Sequence, residues 1–145
     1  MVDVQRTFTV RKPVADVAAY LRDFSHAEQW DPGTQSCERI STGPIGLGTR
    51  WHNVSKLFGI STELEYELTR DDPDHIVVTG RNKTATATDD LRLAPAGDAA
   101  TEITYHAHVD FNGIAKIGDP VFQLMFNRLA QSVPKQLTET LEKSA

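Results

Sequence analysis

Hydrophobic and polar residues alternate along most of this chain, and near its end the alternation gives way to a helical pattern. Between Asp119 and Lys143 the apolar residues recur every three or four positions and so form one wide stripe. The stripe consists of Phe122, Met125, Phe126, Leu129, Val133, Leu137 and Leu141. Asp119 and Pro120 provide a start signal, with an acceptor side chain for the N-cap and a proline for the first helical position. We therefore predict one long amphipathic helix, which Pro134 should kink.

The preceding sequence shows a period of two, which is typical of strands with one buried face. A first strand is predicted over residues 2–10, followed by a helix that opens at Pro13 and a second helical turn that ends at Trp30. Six further strands are predicted over residues 35–41, 49–57, 61–70, 75–81, 84–94 and 101–111. This order predicts an α+β fold in which the long helix crosses an antiparallel sheet, an arrangement that can enclose a cavity.

Composition narrows the classes of function. The formal net charge is -5, and no run of Lys or Arg forms a basic stripe, which argues against a nucleic-acid partner. We find no signal-peptide pattern and no apolar stretch of membrane-spanning length, so we predict a cytoplasmic protein without integral membrane association. Cys37 is the single cysteine, so an internal disulfide and a Cys-based zinc site are both excluded.

Two histidines invite a metal hypothesis. His106 and His108 alternate onto one strand face, where a third ligand could join them. The same face carries Glu102 and Asp110, which is the composition of a solvated sheet surface. We therefore predict that the protein binds no metal.

Short segments spread over the whole chain form an ordered set that is more informative than any one of them. The set comprises Pro13 with Val17, Phe24 with Trp30-Asp31-Pro32, Gly48-Thr49-Arg50-Trp51, Tyr66-Glu67-Leu68 with Asp72-Pro73, Thr88-Asp89, Thr101-Glu102-Ile103-Thr104-Tyr105 and Asp119-Pro120. In this order it resembles the START-like superfamily of the birch-pollen-allergen type, within its polyketide cyclase/dehydrase and lipid-transport branch.

The resemblance implies a helix-grip fold, in which a seven-stranded curved antiparallel sheet wraps around a long C-terminal helix. Two short helices follow the first strand, and residues 1–145 form a single ligand-binding domain. Members of the family include aromatases and cyclases that act on polyketides, as well as carriers of lipids and sterols. The resemblance further implies a hydrophobic ligand and chemistry that needs no cofactor.

Strand alternation places a few polar side chains on the inward, apolar faces. Asn53, Asp89, Tyr66 and Tyr105 are the most informative, because a buried polar group without a partner costs a few kcal/mol. Small-molecule sites combine an apolar wall with a few convergent polar groups. The predicted ligand-binding residues are Trp51, Asn53, Leu64, Tyr66, Leu68, Val78, Asp89, Leu91, Tyr105, Val109, Phe122, Phe126 and Leu129.

Three functions remain open from the sequence. The first is a binding protein for a polyketide-like or lipid-like molecule. The second is a polyketide aromatase/cyclase or dehydrase in which Asp89, Tyr66 and Tyr105 handle protons, since burial raises the pKa of a carboxyl group toward a useful range. The third is a protein-interaction module without a cavity. An enzyme requires two or more titratable groups that converge on one open cavity, whereas a carrier requires only an apolar lining and an entrance. The oligomeric state is not predicted.

Overall fold

The protein folds around one antiparallel sheet. The computed structural model describes residues 1–57 and 59–143, without the side chains of residues 57 and 114–116. In the described part of the chain, seven strands pair in the order β1-β7-β6-β5-β4-β3-β2. They are β1 (Val2–Val10), β2 (Thr34–Arg39), β3 (Arg50–Leu57), β4 (Ile60–Asp72), β5 (His75–Arg81), β6 (Ala85–Pro95) and β7 (Thr101–Phe111). The predicted strands are confirmed, with ends that move by one or two residues.

Four α-helices accompany the sheet in the described ranges. They are α1 (Val14–Arg22), α2 (Ala27–Trp30), α3 (Asp119–Ala130) and α4 (Val133–Lys143). The last two pack against β1, and α4 also contacts α2. The α+β class is therefore confirmed, as is the helix-grip arrangement of sheet, short helices and long C-terminal helical segment. None of the helices in residues 1–57 and 59–143 is long and apolar enough to cross a membrane.

The predicted long helix is interrupted between α3 and α4. The backbone N–H groups of Gln131 and Ser132 donate to the carbonyls of Arg128 and Leu129, at 3.3 and 3.2 Å. Each of these bonds reaches back three residues, as in a 3₁₀-helix, instead of the four of an α-helix. Pro134 carries no N–H and cannot donate to the carbonyl four residues earlier, which is why the regular helix stops here. The predicted kink thus takes the form of a break.

The predicted N-cap of the last helix is wrong by one residue. Gly118 occupies the cap position and Asp119 is already helical, so the Asp119 side chain caps no helical N–H. Its carboxylate instead binds the amino group of Met1. That ion pair ties the start of β1 to the start of α3.

At the end of the sheet covered by α1, α2 and α4, the core contains a cluster of aromatic rings. The ring of Phe24 lies 6.3 Å from that of Trp30, 6.1 Å from that of Trp51 and 4.6 Å from that of Tyr66, measured between centroids. Trp30 in turn meets Tyr105 edge-on at 5.9 Å. Offset and edge-to-face rings at these distances add stability beyond their burial. This aromatic cluster closes one end of the molecule.

The other end of the core is covered by α3, and it is packed differently. In α4 the stripe residues Val133, Leu137 and Leu141 are at most 2% exposed. In α3 the stripe residues Phe122 and Phe126 are only partly buried, although they point at the same sheet. One continuous apolar stripe therefore seals the core along α4 and leaves space beneath α3.

Candidate functional site: a cavity beneath α3

A cavity of about 290 Å³ lies between α3 and the inward faces of β4, β6 and β7. Most of its wall is apolar, as expected of a site for a hydrophobic molecule. The apolar wall includes Leu64, Ala87, Ala107, Val109, Phe122, Met125, Phe126 and Leu129. The polar lining residues include two carboxyl groups, Asp31 and Asp89, and two tyrosines, Tyr66 and Tyr105.

The structure divides the predicted ligand-binding residues into two groups. Those that line the cavity are Leu64, Tyr66, Asp89, Tyr105, Val109, Phe122, Phe126 and Leu129. Those that are buried but lie outside the cavity lining are Trp51, Asn53, Leu68, Val78 and Leu91. Their side chains are on the predicted inward face but outside the cavity. Val78 and Leu91 belong to β5 and β6, against which α1 packs, and the ring of Trp51 packs against that of Phe24.

Asp89 projects from β6 into the cavity. The residue is 8% exposed, and the Tyr105 hydroxyl donates to its Oδ1 at a long 3.5 Å. Burial, together with the nearby Asp31 carboxyl group, raises the pKa of Asp89 to about 8, and the hydrogen bond from Tyr105 opposes this rise. Asp89 is therefore mostly protonated at neutral pH.

Asp31 is a site residue that the sequence pattern does not reveal. It follows α2 in an Asp-Pro-Gly segment, whose composition indicates only a turn. In the structure it lines the cavity, and its carboxylate accepts hydrogen bonds from the Gly33 N–H at 3.1 Å and the Thr34 hydroxyl at 2.9 Å. Burial of the carboxyl group raises its pKa, while these two bonds favour the charged form.

A short chain of hydrogen bonds holds Asp31 in place. The Ser55 hydroxyl donates to Asn53 Oδ1 at 2.7 Å, and Asn53 Nδ2 donates to Thr34 Oγ1 at 3.2 Å. The Thr34 hydroxyl in turn donates to Asp31 Oδ2. Asn53, which is predicted to lie in the ligand site, therefore orients the donor to Asp31 from behind the cavity wall.

The two tyrosines bring hydroxyl groups to the same place. The Tyr66 ring lies directly over Gly80 of β5, where an added Cβ would come within 2.7 Å of the ring atoms. Tyr66 is 7% exposed, and its hydroxyl has no hydrogen-bond partner among the described residues. Burial raises the pKa values of Tyr66 and Tyr105 well above the ordinary value, so both hydroxyls stay protonated.

The charge of this site is unbalanced. The described lining residues include Asp31 and Asp89 but no Lys and no Arg. His108 is the basic residue among the described lining residues, and its Nδ1 lies 3.7 Å from a carboxylate oxygen of Asp3, which is an exposed residue of β1. Burial raises the pKa of both carboxyl groups, and the hydrogen bonds from Gly33 and Thr34 oppose this rise at Asp31.

The histidines of the metal hypothesis lie beside a carboxylate. His106 Nε2 contacts Asp3 directly, and the side chains of His106 and His108 are 39% and 31% exposed. Within residues 1–57 and 59–143, no three His, Cys, Asp or Glu side chains are grouped so that they could hold a metal ion.

Comparisons with known proteins identify the family and the fold. A family model described as "Polyketide cyclase / dehydrase and lipid transport" matches residues 1–143. A search of curated proteins finds no significant match. Among solved structures, a START superfamily protein from Mycobacterium smegmatis has a TM-score of 0.79 at 14% identity, with 97% of each chain covered.

Two further structures carry a stated activity in their names. The Zhui aromatase/cyclase from a Streptomyces species has a TM-score of 0.80 at 13% identity, covering 97% of this chain and 93% of that one. A STAR-related lipid transfer protein from Xanthomonas axonopodis has a TM-score of 0.70 at 16% identity, covering 97% and 86%. These likenesses confirm the START-like fold, and at such low identity they show the fold alone.

Proposed function

The chain belongs to the polyketide cyclase/dehydrase and lipid transport family, and we propose that it binds a hydrophobic small molecule, polyketide-like or lipid-like, in the cavity beneath α3. The main support is the contrast along the C-terminal stripe, which is fully buried at Leu137 but only half-buried at Phe122 and Phe126. Apolar side chains that face an empty space lack the dispersion contacts that a ligand would supply. The proposal takes residues 1–145 as one ligand-binding domain without a cofactor and keeps the predicted cytoplasmic location.

The size of the cavity restricts the ligand. Small-molecule sites usually measure roughly 300–1,000 Å³, and the space beneath α3, about 290 Å³, is at the lower end of that range. This favours a compact ring system or a single short acyl chain over a lipid with two long chains.

Binding of an uncharged fluorescent probe, N-phenylnaphthylamine, tests the proposal. We expect saturable binding to the wild type, and Ala107→Phe should weaken it at least about tenfold, because Ala107 is 8% exposed and lines the cavity. Ala94→Phe is the matched control, since Ala94 is exposed on β6 and should leave the affinity unchanged. Absence of saturable binding, or equal affinity in the two variants, would contradict the proposal.

A second candidate function is catalysis of a polyketide cyclisation or dehydration. It is favoured by one observation: Asp31, Asp89, Tyr66 and Tyr105 converge on one cavity. Burial raises the pKa of Asp89 to about 8, whereas hydrogen bonds from Gly33 and Thr34 favour the charged form of Asp31. Such a pair supplies a general acid and a general base. The residues predicted to be catalytic, Asp89, Tyr66 and Tyr105, would act here with Asp31.

Turnover of a cyclisable polyketone decides between the two functions. If Asp89 is the acid, Asp89→Asn should abolish turnover and leave affinity for the polyketone nearly unchanged. If the protein is a carrier, the wild type binds the polyketone and releases it unaltered. Product analysis by mass spectrometry, with Ala94→Phe as the control variant, separates these outcomes.

A further inference from the structure

We propose that the ligand of this cavity carries a basic nitrogen and that its ammonium group binds between the carboxyl groups of Asp31 and Asp89. The inference rests on the proposed binding function and adds the chemical class of the ligand. Three features of the cavity support it: the acidic groups of its wall, an unused hydroxyl group and the proton that Asp89 holds.

The wall of the cavity carries two carboxyl groups, those of Asp31 and Asp89, and no Lys or Arg among its described lining residues. The basic lining residue, His108, lies 3.7 Å from a carboxylate oxygen of Asp3. Burying an unpaired carboxylate is costly, and a cation bound beside it offsets that cost. A ligand carboxylate or phosphate would meet repulsion from the same group.

The polar corner of the cavity supplies a matching set of acceptors. An ammonium group has three N–H donors and needs three acceptors. Asp31 and Asp89 supply carboxyl oxygens, and Tyr66 supplies a hydroxyl oxygen that is buried to more than nine-tenths and has no partner among the described residues. The Tyr105 hydroxyl already donates to Asp89 Oδ1, and this bond helps to hold the Asp89 carboxyl group in position as an acceptor. The acceptors of this corner therefore match the donors of an ammonium group.

The carboxyl pair also holds a proton that a cation would displace. The titratable groups around Asp89 are Asp31 from the turn after α2, Tyr105 from β7 and Tyr66 from β4, with Cys37 of β2 acting on Tyr66. His108 of β7 also lines the cavity, and it pairs with Asp3. The lining residues of α3 and α4 are apolar and add no charge. A cation placed beside Asp89 favours its ionised form, so binding of an ammonium group should release the Asp89 proton to solvent.

Three matched probes with one naphthyl ring and a two-carbon side chain test the inference: naphthylethylamine, naphthylethanol and naphthylacetate. We expect the amine to bind the wild type at least about tenfold more tightly than the alcohol, because charge-assisted hydrogen bonds are roughly twice as strong as neutral ones. Naphthylacetate should bind more weakly than the alcohol. The comparison uses the wild type only, so it does not depend on any variant folding.

Variants test whether the preference for the amine arises from Asp31 and Asp89. In the double variant D31N/D89N the three probes should bind within about threefold of one another, since the ring contacts remain and the charge is gone. Glu65→Gln is the matched control, because Glu65 is an exposed neighbour of Tyr66 in β4 and its loss removes one negative charge outside the cavity. It should leave the order of the three affinities unchanged.

Calorimetry in two buffers of different ionisation enthalpy measures the released proton. At pH 7 the amine should release close to one proton on binding to the wild type and none on binding to Asp89→Asn, whereas naphthylethanol should release none from either protein.

The outcomes separate this inference from the proposed function. If the alcohol or the acetate binds as tightly as the amine, the inference is overturned while binding of a hydrophobic molecule stands. If N-phenylnaphthylamine and all three probes fail to bind, both are overturned. Amine binding without proton release would place the ammonium group away from Asp89 and would overturn the proposed position.

Discussion

Replacing Asp89 by asparagine should remove a pH dependence of stability that the wild type carries. Asp89 is 8% exposed, its pKa is raised to about 8, and an unfolded aspartate titrates near pH ~3.9. Between these two values the folded state holds a proton that the unfolded state has lost. The free energy of unfolding therefore falls as the pH rises through this window, which is the opposite of the usual behaviour of a salt-bridged carboxylate.

The size of this loss of stability follows from the pH range over which the folded and unfolded states differ by one proton. A single proton difference changes the free energy of unfolding by about 1.4 kcal/mol per pH unit, so the wild type should lose about 2.5 kcal/mol between pH 5 and pH 7 through Asp89. The amide introduced by Asp89→Asn is uncharged at every pH and still offers an oxygen to the Tyr105 hydroxyl. Relative to the wild type, Asp89→Asn should therefore gain stability as the pH rises.

Urea unfolding at half-unit steps from pH 5 to pH 7 measures the effect as the difference between the wild type and Asp89→Asn. Carboxyl groups that do not interact with Asp89 cancel in this difference. Asp98→Asn is the control, since Asp98 is exposed between β6 and β7, and its difference from the wild type should stay flat. A flat difference for Asp89→Asn as well, or one of opposite slope, would show that Asp89 is ionised in the folded protein and would refute the reasoning.

Two further predictions concern packing around the cavity. Gly80→Ala should lower the free energy of unfolding by about 1–3 kcal/mol and weaken binding of N-phenylnaphthylamine, because the added Cβ would lie 2.7 Å from the Tyr66 ring. In the control Gly46→Ala the added Cβ meets no atom within 4 Å, so urea unfolding and probe titration should both match the wild type. In urea unfolding, Leu137→Ala should lower the free energy of unfolding by about 2–5 kcal/mol, because Leu137 is fully buried. Phe126→Ala should lower it by less, because Phe126 already borders the cavity. Equal losses would mean that the cavity is filled by repacking.

The strands and their faces could be predicted because the pleat of a strand fixes which side chains share a face. Leu64, Tyr66 and Leu68 are all buried on one face of β4, as their alternation with glutamates indicates. Alternation does not say what lies in front of each position along the strand. Leu64 and Tyr66 reach the cavity, while Leu68 is outside its lining. That difference depends on where the helices lie, and the period of a single strand carries no information about it.

The roles of two acidic residues could not be predicted, for local reasons. Asp31 lies in a turn, where no hydrophobic periodicity indicates the direction of a side chain. The sequence Asp-Pro-Gly is typical of a turn, so it gives no sign of a further role for the aspartate. The N-cap at Asp119 is a reasonable prediction from local sequence, but Met1, 118 positions away along the chain, binds the carboxylate. Both errors arise where a partner distant in sequence, or a surrounding cavity, decides the role of an acidic side chain.

The cavity combines two departures from ordinary packing that arise independently. One is the half-buried apolar face of α3, whose counterpart in α4 is fully buried. The other is the carboxyl pair of Asp31 and Asp89, which lies in an apolar setting without a Lys or Arg among the described lining residues. Neither departure requires the other: an apolar pocket needs no carboxyl groups, and a buried carboxyl pair needs no empty space. Local violations of packing and charge rules tend to mark functional sites. Since both border one cavity, a single ligand with an apolar body and a basic group would relieve both.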